Sequence, residues 1–450
     1  MIYSLFIVLM TAFAIAYIFV GRTTAKKIKE KEDYFLYNRN LNGFVLCLTL
    51  FASQLGAGAI LGSAEVGYKE GWIGLAYPVG MFLGLTLLGI IFGPRLRALE
   101  LSTVAQIFEI KYNSPFLRKV ASYFSALPLF FILVGQAVGA RKFFYAIGIE
   151  NNYIFLAIWL VFLSYVVLGG IRAVVKADIL QVSFILITFI IAFSFLTWGK
   201  PLLLPQMNTL ATSFKWSDFS CLLFTMLYMG FEQDMGQKYF AAKSPKIITF
   251  SAIFAAILVL TTSAVAVYFG VALRTTGISI GANQDAFISA VTLFTNPIIT
   301  SFIACGTIMV IFSTTSSLLS AITSNLAFDL PYLTKGNEKK QLLASRTITL
   351  LVGLAGILAS FTFSSILSLL LQAYEFSVCT ICPAIVMAIF AKNPNKKAAI
   401  LSMIIGMSSF LFLPKELLFI PKELISLTLS FGGYFLGKKM FYKKEEKIAA

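Results

Sequence analysis

Five hydroxyl side chains in a row, Ser313-Thr314-Thr315-Ser316-Ser317, interrupt an apolar stretch that runs from Ile308 to Ile322. Polar side chains in a membrane-grade segment are costly unless something uses their oxygens. On a helix, positions i, i+3 and i+4 share a face. Ser313, Ser316 and Ser317 therefore line up, Thr314 lies one step round, and Thr315 falls off that face. The stripe is a set of hard, neutral oxygen donors, the chemistry that takes a hard cation such as Na⁺.

Four carboxylates in apolar surroundings are the next candidates: Asp178, Glu232, Asp234 and Glu375. A carboxylate within a span is functional by default. Asp178 has a bland alternative as an interfacial residue paired with Lys176 or Arg172. Glu232 and Asp234 could equally cap a broken helix, pair with Lys238 or face a solute. Glu65 and Asp285 belong at the outer interface. Gln54, Gln136, Gln233 and Gln372 are amides that could hydrogen-bond a solute, or join helices to one another. Cys379-Thr380-Ile381-Cys382 spells a CxxC, but it lies in an apolar segment with no second pair and reads as core.

The elements that carry these groups are membrane helices. Of 450 residues, 58% are hydrophobic and 12% charged, with mean hydropathy +0.86. A soluble protein has about twice that charged fraction. A helix needs about 20 apolar residues to cross a bilayer. That rule predicts an all-α polytopic membrane protein with about thirteen transmembrane segments, the first at 1–21 and the last at 420–437. Residues 1–21 lack a basic leading region and read as a retained helix. The chain as given, 1–450, reads as a single transmembrane domain, since the loops are too short for a soluble one. Histidine is absent, which excludes His-based nucleophile triads, His general bases and His-ligated metals. No nucleophile constellation or Walker A motif is present, so an enzyme is not expected.

The net charge of +16 sorts by loop. Of the 36 lysines and arginines, all but Lys69, Arg141, Lys142, Lys200, Lys215, Arg274, Lys415 and Lys422 fall in alternate loops or the C-terminal tail. Such asymmetry marks the cytoplasmic side. It predicts an integral plasma (inner) membrane protein with its N-terminus outside and its C-terminus inside. The charge reports membrane orientation, and nucleic acid has no place among the partners.

Two segments carry helix-weakening glycines at mid-membrane. Ser53-Gln54-Leu55-Gly56-Ala57-Gly58 interrupts the second segment, and Gly230-Phe231-Glu232-Gln233-Asp234-Met235-Gly236 the seventh. Glycine costs a helix about 1 kcal/mol per site. Interruptions five segments apart point to an inverted-repeat transporter with its binding site at the breaks. Unwound backbone at that depth has to line a cavity or bind something. A packing face of small residues is the competing explanation.

Several stretches, in order, resemble the sodium:solute symporter family, which includes bacterial proline, sialic acid and sodium/galactose carriers. Asp33-Tyr34-Phe35-Leu36 followed by Asn38-Arg39-Asn40-Leu41 is similar to its "DYFLAGRxL" motif. Ala52 to Ala57 resembles "ATQFSA", and Gly169-Gly170 through Asp178 and Gln181 resembles "GGxxAVxxTDxxQ". Phe231 to Lys238 with Ala241-Ala242-Lys243-Ser244 resembles "xxxQxxxQRxxAAKS". Ser313-Thr314 through Asp329 resembles "STxxSxLxxxxxxxxxD". The chain departs from the family at Gly56, where serine is common, and at Lys238, where arginine is.

The resemblance implies a LeuT-like inverted repeat of five plus five helices. Its halves would be about 42–199 and 217–391, with extra helices at 1–21 and 397–437. It implies sodium-coupled symport of a small organic solute into the cell by alternating access. The solute would be an amino acid such as proline, an organic acid, a sugar or a vitamin. Sodium is the implied coupling ion. Carried over, its ligands are the carbonyls of Ala52, Leu55 and Val310 and the hydroxyls of Ser313 and Thr314. A second sodium would sit at Asp178, Ser316 and Ser317, with Ser313 shared. The solute would meet Gln54, Gly56, Gln136, Glu232, Gln233 and Glu375. Sialic acid is disfavoured, because the position of the arginine that holds its carboxylate falls near Phe131. A proton-coupled carrier on the same fold, protonated at Asp178 or Glu232, is the alternative, followed by a non-transporting membrane sensor.

Overall fold

The computed structural model describes residues 2–197, 214–281, 285–417 and 419–449. Lys200 and the end of the first expected repeat, residues 198–199, lie outside them. The described chain is helical almost throughout. Among the described residues, a two-residue antiparallel ladder, Glu416–Leu417 against Ile420–Pro421, and an isolated parallel bridge between Leu41 and Ala242 depart from all-α structure.

The helices run α1 Ile2–Ala25, α2 Lys31–Leu36, α3 Gly43–Gln54, α4 Ser63–Glu70, α5 Ala76–Leu87, α6 Gly93–Ala98, α7 Gln106–Tyr112 and α8 Pro115–Ala146. They continue as α9 Asn152–Thr197, α10 Trp216–Met229, α11 Gln233–Phe240, α12 Pro245–Thr275, α13 Ala286–Phe294 and α14 Pro297–Asp329. The last four are α15 Glu338–Ala359, α16 Ile366–Phe390, α17 Lys396–Phe412 and α18 Lys422–Ala449. Side chains such as Phe250 and Phe254 on α12 stay exposed, as a lipid-facing surface requires.

Eight helical stretches among the described residues are long and apolar enough to cross a membrane. The thirteen segments of the sequence are therefore not thirteen separate long helices. The fifth and sixth join in α9, whose 46 residues would span about 70 Å if straight, twice the hydrocarbon core. α9 instead turns at Gly170, where φ is 48° and ψ −148°. Only glycine holds that backbone readily. The ring and carbonyl of Tyr34 press against the same point, and the Tyr34 hydroxyl donates to Val166 O and Val167 O at 3.2 and 3.0 Å.

α14 is the axis of the bundle. It packs on α1, α3, α8, α9, α11 and α15, and nearly all of its inner two-thirds is buried. A helix buried on every side has no polar face, so its hydroxyls turn inward on protein rather than out to water. The two interrupted segments meet it. α3 ends at Gln54, the chain is non-helical at Leu55, and it resumes through a π-helical turn at Gly58–Gly62. π-turns of this kind mark sites where a helix is opened for use. α10 ends at Met229, and α11 begins after the extended Glu232.

One end of the bundle gathers basic side chains far apart in sequence. Arg39 Nη1 donates to Leu101 O at 3.0 Å, Arg97 Nε to Ala242 O at 2.9 Å and Arg346 Nη2 to Leu168 O at 2.9 Å. Arg172 pairs with Asp33, and Lys31 donates to Ala327 O. Arg118 joins Asp329 and Glu109 at 2.7 and 2.6 Å.

Candidate functional site

The break after Gln54 frees a carbonyl. In an unbroken helix the Gly56 N–H would bond Ala52 O. Here it turns to Gln54 O at 3.0 Å. The Ser313 hydroxyl donates to the freed Ala52 O at 2.7 Å and to Val310 O at 2.8 Å, and Thr314 Oγ1 lies 3.4 Å from each. Ala52, Leu55, Val310 and Ser313 are 0% exposed and Thr314 is 5%. Two carbonyls and two hydroxyls thus converge in a buried place between α3 and α14, an oxygen set suited to a monovalent hard cation. Thr315, off that face, bonds back to Ile311 O at 2.7 Å, the ordinary fate of a helical hydroxyl.

The second hydroxyl group of the stripe divides. Ser316 donates to Ser313 O at 2.8 Å, within its own helix. Ser317 Oγ lies 2.9 Å from Ser53 Oγ on α3 and accepts from Lys238 Nζ on α11 at 2.9 Å. Asp178, 0% exposed, accepts from Thr49 Oγ1 and lies 3.9 Å from Lys238 Nζ. Asp178 and Ser317 are therefore brought together, with an ammonium between them.

Beside the first cluster, a small cavity with room for about one water is lined by Gln54, Gly56, Tyr77, Gln136, Glu232, Asp234, Thr314 and Tyr374. Gln54 Nε2 donates to Glu232 Oε2 at 3.3 Å, so the two broken helices touch through their break residues. Asp234 Oδ1 is buried and has no hydrogen-bond partner. The Tyr77 and Tyr374 rings stack at 6.2 Å with their hydroxyls 2.9 Å apart.

Four polar side chains expected to meet a solute have protein partners or positions of their own, and of these Gln136 lines the cavity. Gln136 Oε1 accepts from Ala57 N at 2.7 Å, so this amide caps an N–H orphaned by the break as well as lining the cavity. Gln233 Oε1 is taken by Val104 N at 2.7 Å, and Gln233 is not among the lining residues. Glu375 is half-buried away from the cavity, with Lys422 and Glu423 of α18 as its charged neighbours. Gln372 is exposed and bonds Ser368 Oγ at 3.1 Å.

Sequence reasoning missed Thr49, Ser53, Tyr77 and Tyr374, and placed Lys238 with the basic loops although it is 1% exposed. Two signals were there to be read. Thr49 and Ser53 are hydroxyls one helical turn apart in an apolar segment. Lys238 stands four residues after Asp234, on one face of α11.

A sequence profile of the sodium:solute symporter family matches residues 34–406. Among solved structures, a Na⁺-coupled sialic acid symporter in a substrate-bound, outward-open state matches with TM-score 0.79 at 16% identity, over 96% of each chain. Mhp1, a nucleobase-cation-symport-1 family transporter in a closed conformation with bromovinylhydantoin bound, matches with TM-score 0.57 at 12% identity. That match covers 90% of this chain and 95% of Mhp1. At such identities the likeness is one of fold, the LeuT-like transporter fold. The profile match spans most of the chain and carries more: the chain belongs to the sodium:solute symporter family.

Proposed function

We propose that the protein couples sodium entry to uptake of a small solute bearing a positively charged nitrogen. The observation that carries the sodium reading is the convergence of Ser313 Oγ and Thr314 Oγ1 on the freed Ala52 carbonyl. Thr314 also lines the cavity, so one side chain belongs to both places. Sodium bound there fixes the break at Leu55–Ala57, and the fixed break shapes the solute site. Each ion crossing 100 mV supplies about 2.3 kcal/mol.

The solute class follows from the lining. Glu232 and Asp234 face the cavity, Tyr77 and Tyr374 offer ring faces, and no lysine or arginine is among the lining residues. Carboxylates and aromatic faces together hold a cationic nitrogen and repel an organic acid. Repeats at about 42–199 and 217–391 put the breaks in corresponding places. The basic end, where Arg39, Arg97, Arg118 and Arg346 meet, is the cytoplasmic end, with the N-terminus outside.

Thermal unfolding of the purified protein tests both parts. Sodium chloride raises Tm over equimolar potassium chloride, and in sodium a panel of amines and amino acids raises it further. Equal Tm in the two salts removes the sodium reading. Stabilisation by organic acids or sugars alone removes the solute class. The adjacent buried acids Glu232 and Asp234 favour one competitor, a proton-coupled carrier, for which uptake would follow ΔpH without sodium.

A further inference from the structure

Lys238 reaches into the middle of the bundle. Its Nζ donates to Thr49 O on α3 at 2.8 Å and to Ser317 Oγ on α14 at 2.9 Å, and stands 3.9 Å from Asp178 Oδ2 on α9. Four helices therefore meet at one ammonium. A carbonyl, a hydroxyl and a carboxylate are the ligands a hard cation takes, and all three already face a positive charge that the chain itself supplies. Lys238 is 1% exposed, so its ammonium is held by these protein groups inside the bundle. A second monovalent cation at Asp178 and Ser317 would lie within a few ångströms of that ammonium, in a medium of low dielectric where like charges repel strongly.

We propose that Lys238 is a tethered cation that fills the second cation position, so that the protein binds one sodium, at Ser313 and Thr314, and not two. The flexible stem of lysine suits this role. Its compact, point-like charge mimics an alkali ion. The proposal rests on the sodium reading of the first cluster. Because the tether cannot leave with the ion, Asp178 keeps its partner throughout the cycle.

The test is the sodium stoichiometry of the purified full-length protein, measured with ²²Na⁺ by equilibrium dialysis, with no solute added. Wild type binds one sodium per chain with a Hill coefficient near 1. Lys238→Met and Lys238→Gln open the position and bind two, and the Hill coefficient rises towards 2. Adding Asp178→Asn to Lys238→Met removes the carboxylate and returns the count to one. Two sodium ions on the wild type overturn the proposal, whether or not the variants fold. A count of one on a folded Lys238→Met overturns it as well. Failure of the underlying sodium reading looks different: the wild type then binds none.

Discussion

The Ser313 hydroxyl donates to the carbonyl of Ala52 at 2.7 Å, joining α14 to the last turn of α3 across 261 positions of sequence. The contact exists because α3 stops. A continued helix would have spent Ala52 O on the Gly56 N–H, which turns instead to Gln54 O. The glycines that weaken the helix and the hydroxyl that donates to its freed carbonyl are two halves of one device.

Removing that hydroxyl therefore has a defined cost. A hydrogen bond or ligand to a charged group is worth about 1.5–3 kcal/mol, or about 10- to 100-fold in affinity. Ser313→Ala and Thr314→Ala should each raise the half-saturating sodium concentration by about that factor, read as sodium-dependent Tm. Thr315→Ala, which loses only a bond to Ile311 O, should leave it in place.

Gln136 offers a second measurement. Its Oε1 caps the Ala57 N–H at 2.7 Å, and a Cβ at Gly56 would lie 2.8 Å from the same oxygen and 3.0 Å from Thr314 Oγ1. Gln136→Leu leaves a buried N–H unpaired, which costs about 1–3 kcal/mol. Tm should fall in the absence of any solute. Gly56→Ala should lower it too, by pushing the amide off its partner. A Gln136 variant with unchanged Tm would return that residue to a purely solute-binding role.

The hydroxyl run and both helix breaks were legible because they violate the polarity and propensity of their surroundings, and one sequence suffices to see that. What each polar side chain turns towards was not. Gln54, Gln136 and Gln233 look alike as amides in apolar helices, yet Gln54 bonds Glu232, Gln136 caps Ala57 and Gln233 holds Val104. Only the crossing of distant helices decides among those fates. Lys238 was assigned to a loop by the charge alternation, because a loop rule cannot see a lysine drawn inward by Asp178. Asp329 closed a recognised motif, but its partner Arg118 lies 211 positions away.

Gly170 should tolerate nothing larger. Its Cβ would stand 2.4 Å from Tyr34 O, and its φ of +48° with ψ of −148° is a backbone state close to exclusive to glycine. Gly170→Ala should cost more than 2 kcal/mol, about twice Tyr34→Phe, which loses one hydroxyl donor of about 1 kcal/mol. Denaturation midpoints of the two variants in detergent give the comparison.

Arg118 and Asp329 should behave asymmetrically. The Asp329 side chain is 0% exposed and also accepts from Thr103 Oγ1 at 2.7 Å, whereas Arg118 keeps a second partner in Glu109. Removing one member of a buried pair strands the other, at about 3–5 kcal/mol. Arg118→Met strands a fully buried acid and should destabilise more than Asp329→Asn, which leaves Arg118 on Glu109. Equal losses in the two variants would mean that the pair is solvated.

Asp285 lies outside the spans, caps α13 by accepting from Ile288 N at 3.0 Å and is 6% exposed. Burial lifts its carboxyl from 3.8 to about 7, with Glu65 pushing the same way and the Ile288 N–H and Lys142 opposing. Between those two values the folded chain holds a proton that the unfolded chain has lost. By linkage, stability falls as pH rises from about 4 to about 7 and levels off above that. Asparagine caps a helix as well as aspartate does and carries no charge to desolvate. Asp285→Asn should therefore match wild type near pH 4 and gain on it steadily up to about pH 7. Amide exchange across residues 286–294 reads the segment directly. A constant difference from pH 4 to 8 would show that the carboxyl is ionised in the fold and that its cap outweighs its burial.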